Sequence, residues 1–205
     1  MPFTITEPPV LTISSSSTSI TCAGDADGTV SSSAGGGTPA LTYTWSTLGG
    51  GANHTGVDAG TYVLTVEDDN GCTITATETI VEPDPIVPTP TATSVTCNGG
   101  NNGTVGVTAV GGDGDYTYTW STLGGGQNHT GVSEGTYTVT IEDGNGCTTT
   151  TSATVDEPTA LTLAMTGTSV TCAGDADGTA NAAVGGGTPT YGYVWSPSGG
   201  GAAGA

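Results

Sequence analysis

The chain has 205 residues, 19 acidic side chains, no lysine and no arginine, for a formal net charge of −19 at pH 7. Phosphate binding needs the cationic side chains that are missing, which excludes nucleic acid as a partner and disfavours an anionic membrane surface. Like charges along the chain repel, favouring an extended, soluble molecule and cationic partners, divalent metal ions above all.

Met1-Pro2-Phe3-Thr4 lacks the basic and apolar regions of a signal peptide. No apolar run reaches membrane-spanning length, so export and anchoring signals are expected outside these residues, with no direct membrane insertion. Phe3 to Pro8 (FTITEP) aligns with Glu78 to Pro83 (ETIVEP) and is expected to be the last strand of a preceding repeat. A first strand is predicted within Val10 to Thr21, closed by Cys22, then a turn at Ala23 to Gly28 rich in residues that tolerate left-handed backbone. Thr29 to Ala34 reads as a polar second strand. Alternation in Leu41 to Trp45 puts Leu41, Tyr43 and Trp45 on one face. After a Gly-rich connection, Gly60 to Val66 places Tyr62, Leu64 and Val66 together. Asp68-Asp69-Asn70-Gly71 is a hairpin signal. Cys72 opens the last strand, Thr73 to Val81, and Glu82-Pro83 ends it.

The segment Thr93 to Pro158 repeats this reading 75 positions on, and Thr168 to Ala202 begins it again. Cys22, Cys97 and Cys172 keep the interval, as do Trp45, Trp120 and Trp195, and Glu7-Pro8, Glu82-Pro83 and Glu157-Pro158. A constant period marks a tandem array. The expected division is 1–8 as the tail strand of a preceding repeat, 9–83 and 84–158 as two repeats, and 159–205 as a truncated third. Asp84 to Pro90, with three prolines, is expected to be a stiff linker.

Short strands with close turn signals and no helical period predict an all-β fold of antiparallel β-sandwiches, with about seven strands in each repeat. A Trp on a middle strand and the run Asp58 to Tyr62, echoed at Gly135 to Tyr137, fit an immunoglobulin-like core with a corner tyrosine. A unit this small has a marginal core, and five cysteines offer staples. Cys22 and Cys72, and Cys97 and Cys147, are each 50 positions apart. Bridges Cys22–Cys72 and Cys97–Cys147 are therefore expected, each contributing roughly 4 kcal/mol on the chain-entropy model and implying an oxidising compartment. Free thiols or a metal site are the alternatives, but CxxC spacing and a His cluster are absent.

Val95 to Thr104 (VTCNGGNNGT), Tyr116 to Ser121 (YTYTWS), Gly135 to Cys147 (GTYTVTIEDGNGC) and Glu157-Pro158 resemble the SprB-type repeat of Bacteroidota cell-surface adhesins. The resemblance covers two repeats and half of a third. It implies a large secreted protein displayed at the cell surface, linked in some members to adhesion and gliding, and exported through a system that reads a separate C-terminal domain.

Asp25 and Asp27, repeated as Asp175 and Asp177, look like part of a calcium loop, with Asp68 and Asp69 as further oxygen donors if the two turns meet. No Glu completes an EF-hand, Gly100 and Asn102 replace the pair in the second repeat, and a tolerant polar turn is the competing explanation. No cofactor is required; calcium is the candidate ion. Asn53, Asn128 and Asn102 fit the glycosylation sequon, and His54 and His129 are expected to be solvated in Gly-rich loops. Nothing supports catalysis: the Gly runs lack the following helix that a phosphate site needs.

The chain therefore reads as a non-catalytic structural and adhesive segment, a stalk or filament of an extracellular surface protein. Its expected partners are other copies, neighbouring repeats, or a surface glycan or adhesion target. The competing reading is an accessory glycan-binding module of a secreted hydrolase, which requires Tyr43, Trp45 and their counterparts to be exposed.

Overall fold

The computed structural model describes residue 3 and residues 5–196. These form strands and connections only, and no helix is long and apolar enough to cross a membrane. Contacts divide the chain into two compact units, 1–88 with 109–118 and 140–150, and 89–108 with 119–139 and 151–205.

Seven strands come first: β1 (Thr12–Thr18), β2 (Gly28–Gly35), β3 (Thr42–Trp45), β4 (Gly49–Gly50), β5 (His54–Val57), β6 (Gly60–Glu67) and β7 (Thr73–Ile80). The series returns as β8 (Val87–Thr93), β9 (Gly103–Val110), β10 (Tyr116–Trp120), β11 (Gly124–Gly125), β12 (Asn128–Val132), β13 (Gly135–Asp143) and β14 (Thr148–Val155). It opens a third time with β15 (Thr162–Thr168) and β16 (Thr179–Gly185). The first series makes sheets ordered β1-β2-β5 and β4-β3-β6-β7; the second makes β12-β9-β8 and β11-β10-β13-β14. Paired strands run antiparallel, with Thr12 opposite Gly35 in the first sheet and Glu67 opposite Thr73 in the second. These are tandem antiparallel β-sandwiches of the immunoglobulin-like class.

Period-two patterning becomes the core of the first sandwich. Trp45, Leu64, Val66, Val30, Val57 and Ile80 are buried together, with Leu41, Tyr43 and Ile74 packed against them. Tyr62 donates to the Asp58 carbonyl at 2.9 Å and Tyr137 to the Ser133 carbonyl at 3.0 Å, the corner contact that the sequence suggests. Threonine pairs clasp the first hairpin of each series at one equivalent place: Thr18 with Thr29, Thr93 with Thr104, and Thr168 with Thr179. Leu163 is 63% exposed, because β15 and β16 pair only with each other and no second sheet covers them among the described residues.

Direction matters most for β1 and β7. Ser15 and Ser17 both donate to Glu78, and the Ile20 amide donates to the Val81 carbonyl at 3.0 Å. Sequence numbers rise together along this seam, so the two strands run parallel. The end of β1 therefore lies at the end of β7.

Two expectations change. Residues 5–8 lie outside any strand and Ile5 is exposed, since no neighbouring strand takes their hydrogen bonds. Pro88 and Pro90 belong to β8 and not to a linker. A strand at the sheet edge, as in β12-β9-β8, accommodates the missing N–H groups when they face away from its one neighbour, and spacing by two permits that.

Leu64, wholly buried in this core, sets a test of the packing. Leu64→Ala is expected to lower unfolding free energy by about 3 kcal/mol, measured by urea denaturation; a loss under about 1 kcal/mol would contradict the core assignment.

Candidate functional site: a disulfide-stapled joint

The end of β7, the turn after β1 and the hairpin before β14 meet in a cleft lined by Cys22, Asp25, Pro83 to Ile86, Gly112, Asp143 and Cys147. Cys22 is bonded to Cys147, with Cα atoms 5.5 Å apart and a sequence separation of 125. Cys72, Cys97 and Cys172 are free and exposed.

This corrects the expected pairs Cys22–Cys72 and Cys97–Cys147. A disulfide requires Cα atoms within about 7 Å. Cys72 precedes the first residue of β7, whereas Cys22 belongs to the turn held by Glu82 beyond the last. Eight residues of strand lie between those ends, roughly 26 Å at strand rise. Because β1 and β7 are parallel, cysteines after one and before the other sit at opposite ends of a sandwich. The bridge joins one period of the sequence to the next.

Acidic side chains place both halves of the joint. Glu82 accepts from the Gly24 amide and so holds the turn that carries Cys22. Asp143, buried like its counterpart Asp68, accepts from the amides of Cys147 at 2.9 Å and Asn145 at 3.0 Å. The Cys147 sulfur packs 3.4 Å from the Thr21 carbonyl oxygen; carrying no proton in a disulfide, it donates no hydrogen bond. The connection is fixed by Gly112, whose amide donates to the Asp84 carbonyl at 2.7 Å. Beside it, a Cβ on Gly111, at φ 86°, would stand 2.0 Å from the Pro85 carbonyl oxygen. The Gly runs thus dock the connecting chain. The sequence signal for this joint is the 75-residue recurrence of the Glu-Pro pair and of the glycine pair at Gly36-Gly37, Gly111-Gly112 and Gly186-Gly187.

The candidate calcium ligands have other duties. Asp68, 5% exposed, accepts from the amides of Thr38 at 2.9 Å, Asn70 at 3.0 Å and Cys72 at 2.8 Å. Asp27 accepts from the Thr21 amide at 3.0 Å. Asn102 does the same for Thr96, and Asp177 for Thr171, each at 3.0 Å. The position needs one acceptor oxygen, so Asn serves where Asp does. The Asp25 amide donates to the Cys22 carbonyl, and the exposed Asp69 donates its amide to the Thr38 carbonyl. Among the described residues no three His, Cys, Asp or Glu side chains are grouped to hold a metal ion, so Asp25, Asp27, Asp68 and Asp69 are not brought into one site.

Asn53, Asn128 and Asn102 are all exposed. The Asn102 amide group is engaged at both ends by Thr96, and Asn53 accepts from the Ser32 amide. His54 and His129 are half-buried on strands, not solvated in loops, with each Nε2 buried and unpaired; His129 stands edge-on to Trp120 at 6.0 Å. Trp45 and Trp120 are 1% and 2% exposed, and Tyr43 and Tyr118 are half-buried. Trp45 and Trp120 thus belong to the cores of the first two sandwiches, whereas their third counterpart Trp195 and the neighbouring Tyr193 are each 52% exposed.

Fold and joint define a tandem array of β-sandwich repeats with a disulfide crossing from one to the next. The family model for the SprB repeat matches residues 14–50, 89–125 and 165–200, more than half of the sequence. The chain belongs to the SprB repeat family. No curated protein matches it. Among solved structures it is similar to a C-terminal 282-residue fragment of intimin, determined in complex with the intimin-binding domain of the translocated intimin receptor (Tir). That match has 13% identity over 77% of this chain and 67% of that one, with a TM-score of 0.32. It is also similar to fibronectin(III)-like modules of Clostridium thermocellum CbhA, at 16% identity over 72% of this chain and 94% of that one, with a TM-score of 0.29.

Backbone donors, that of Thr38 foremost, hold the Asp68 carboxyl below its ordinary pKa of 3.8. A depressed folded pKa gives stability that is fully present above the ordinary value and lost as pH falls through the folded one. Circular dichroism on acidification should show stability constant from pH 6 to about pH 4 and falling below that. Asp68→Asn should be less stable at neutral pH, with a flatter acid limb; an unchanged acid limb would contradict this role for Asp68.

Proposed function

We propose that this chain is a load-bearing, non-catalytic segment of a bacterial surface protein, a stalk or filament displayed outside the cell. The observation that carries the proposal is the Cys22–Cys147 bridge across two successive repeats. A bond of this kind persists in an oxidising compartment, consistent with display outside the cell.

The mechanism is covalent bypass. Tension applied through the ends of the chain passes from Cys22 to Cys147 through sulfur, so the intervening residues add no length if they unfold. The docked connection and the disulfide act in parallel at the joint. Mutual repulsion among acidic side chains favours an extended chain, and with no Lys or Arg the segment offers no cleavage site to a protease that requires those residues. Adhesion, to other copies, a surface glycan or another target, belongs to this proposal. Burial of Trp45 and Trp120 counts against the glycan-module alternative, which keeps only the exposed Tyr193 and Trp195 of the third series.

Electron microscopy of native material labelled with antibody to this segment tests display: label along thin surface fibres is expected, and label confined to compact soluble particles would overturn it. Load bearing is tested by pulling the chain from its ends. The bridge spans a sequence separation of 125, so adding reductant should lengthen the fully extended chain by roughly 430 Å. No gain would contradict the bypass.

A further inference from the structure

The first joint has a counterpart one period further along the chain. Cys97, Pro158, Thr159, Ala160, Leu161 and Gly187 line a cleft, and each stands 75 positions after a residue that lines the cleft around Cys22. The supports are repeated as well. Glu157 accepts from the Gly99 amide at 2.7 Å, as Glu82 does from Gly24. The Gly187 amide donates to the Thr159 carbonyl at 2.7 Å, as Gly112 does to Asp84. At the first cleft, the other wall is the hairpin of Asp143 to Cys147, which supplies the second sulfur. At the second, Cys97 is a free, exposed thiol, and no such hairpin lines the cleft among the described residues.

We infer that the cleft at Cys97 receives a hairpin of the form Asp-x-x-Gly-Cys from a further SprB repeat, and that Cys97 forms a disulfide with its cysteine. The occupant is chosen by what fills the equivalent cleft. Cys72 is the complementary half: it ends a hairpin of that form, Asp68 to Cys72, capped by Asp68 as Cys147 is by Asp143, and it too is free and exposed. Each bridge forms when two thiols give up two electrons and two protons. A disulfide-bearing oxidant takes them by thiol–disulfide exchange and leaves as two thiols. The register, first cysteine of one repeat to second cysteine of the next, then continues along the array. Successive bridges would overlap, because Cys97 itself lies between Cys22 and Cys147, and no repeat could unfold to full length without breaking one. The inference rests on the tandem-array reading but not on an adhesive role.

The test is alkylation of the native protein with iodoacetamide before any reduction, then peptic digestion at acid pH and mass mapping. Cys97 should resist alkylation and be recovered bonded to a Gly-Cys hairpin cysteine outside its own repeat. Cys97 fully alkylated, or bonded to Cys147 or Cys172, would overturn the inference. Denaturing electrophoresis separates the two sources: a band unchanged by reductant places the hairpin in the same polypeptide, and a ladder collapsed by reductant places it in another copy. A Cys97→Ser variant should keep Cys22 bonded to Cys147 while losing only the Cys97 link. Loss of both would show Cys97 to be part of the fold and overturn its assignment as an independent joint. Surface labelling that fails while this map succeeds would contradict the display proposal alone.

Discussion

A carboxylate in this chain has no lysine or arginine to pair with, and that constraint shapes the structure at every functional position. Ionised oxygens must find donors, and charge-assisted bonds to backbone amides are the strong bonds that remain. Asp68 and Asp143 collect the amides of their hairpins, Asp27 and Asp177 close the turns that carry Cys22 and Cys172, and Glu82 and Glu157 hold the turns that carry Cys22 and Cys97. Glu78 takes two serine hydroxyls from the facing strand. These acids do the positioning that ion pairs do elsewhere, and they concentrate where the cysteines are.

Positioning of this kind turns a small sandwich into a joint. The core around Trp45 and Leu64 is modest, and an isolated unit of that size is marginal. A bridge inside one repeat would stabilise that repeat alone. A bridge to the next repeat also restrains the connection, already docked by Gly111 and Gly112. Stability and mechanical continuity then come from one bond.

Much of the fold is legible in the sequence because its signals are local. Alternation in Leu41 to Trp45 and in Tyr62 to Val66 marks the buried faces, and the run before Tyr62 marks the corner contact. What is illegible depends on relations between distant strands. Equal spacing of Cys22 and Cys72 suggests a pair, but the parallel course of β1 and β7 puts them at opposite ends. Pro88 and Pro90 look like linker residues until the strand carrying them proves to be an edge. Asp25 and Asp27 look like metal ligands because oxygen-rich turns and calcium loops share a composition. The Asn at position 102 is the clue that an acceptor, not a charge, is needed there.

The central claim is that covalent continuity runs between repeats and not within them. Its most direct test is a non-reducing peptide map of this chain, digested at acid pH to prevent exchange, reading the partner of Cys22. Recovery of Cys22 with Cys147 is the predicted result; recovery of Cys22 with Cys72 would return the staple to a single sandwich and remove the bypass on which the account depends.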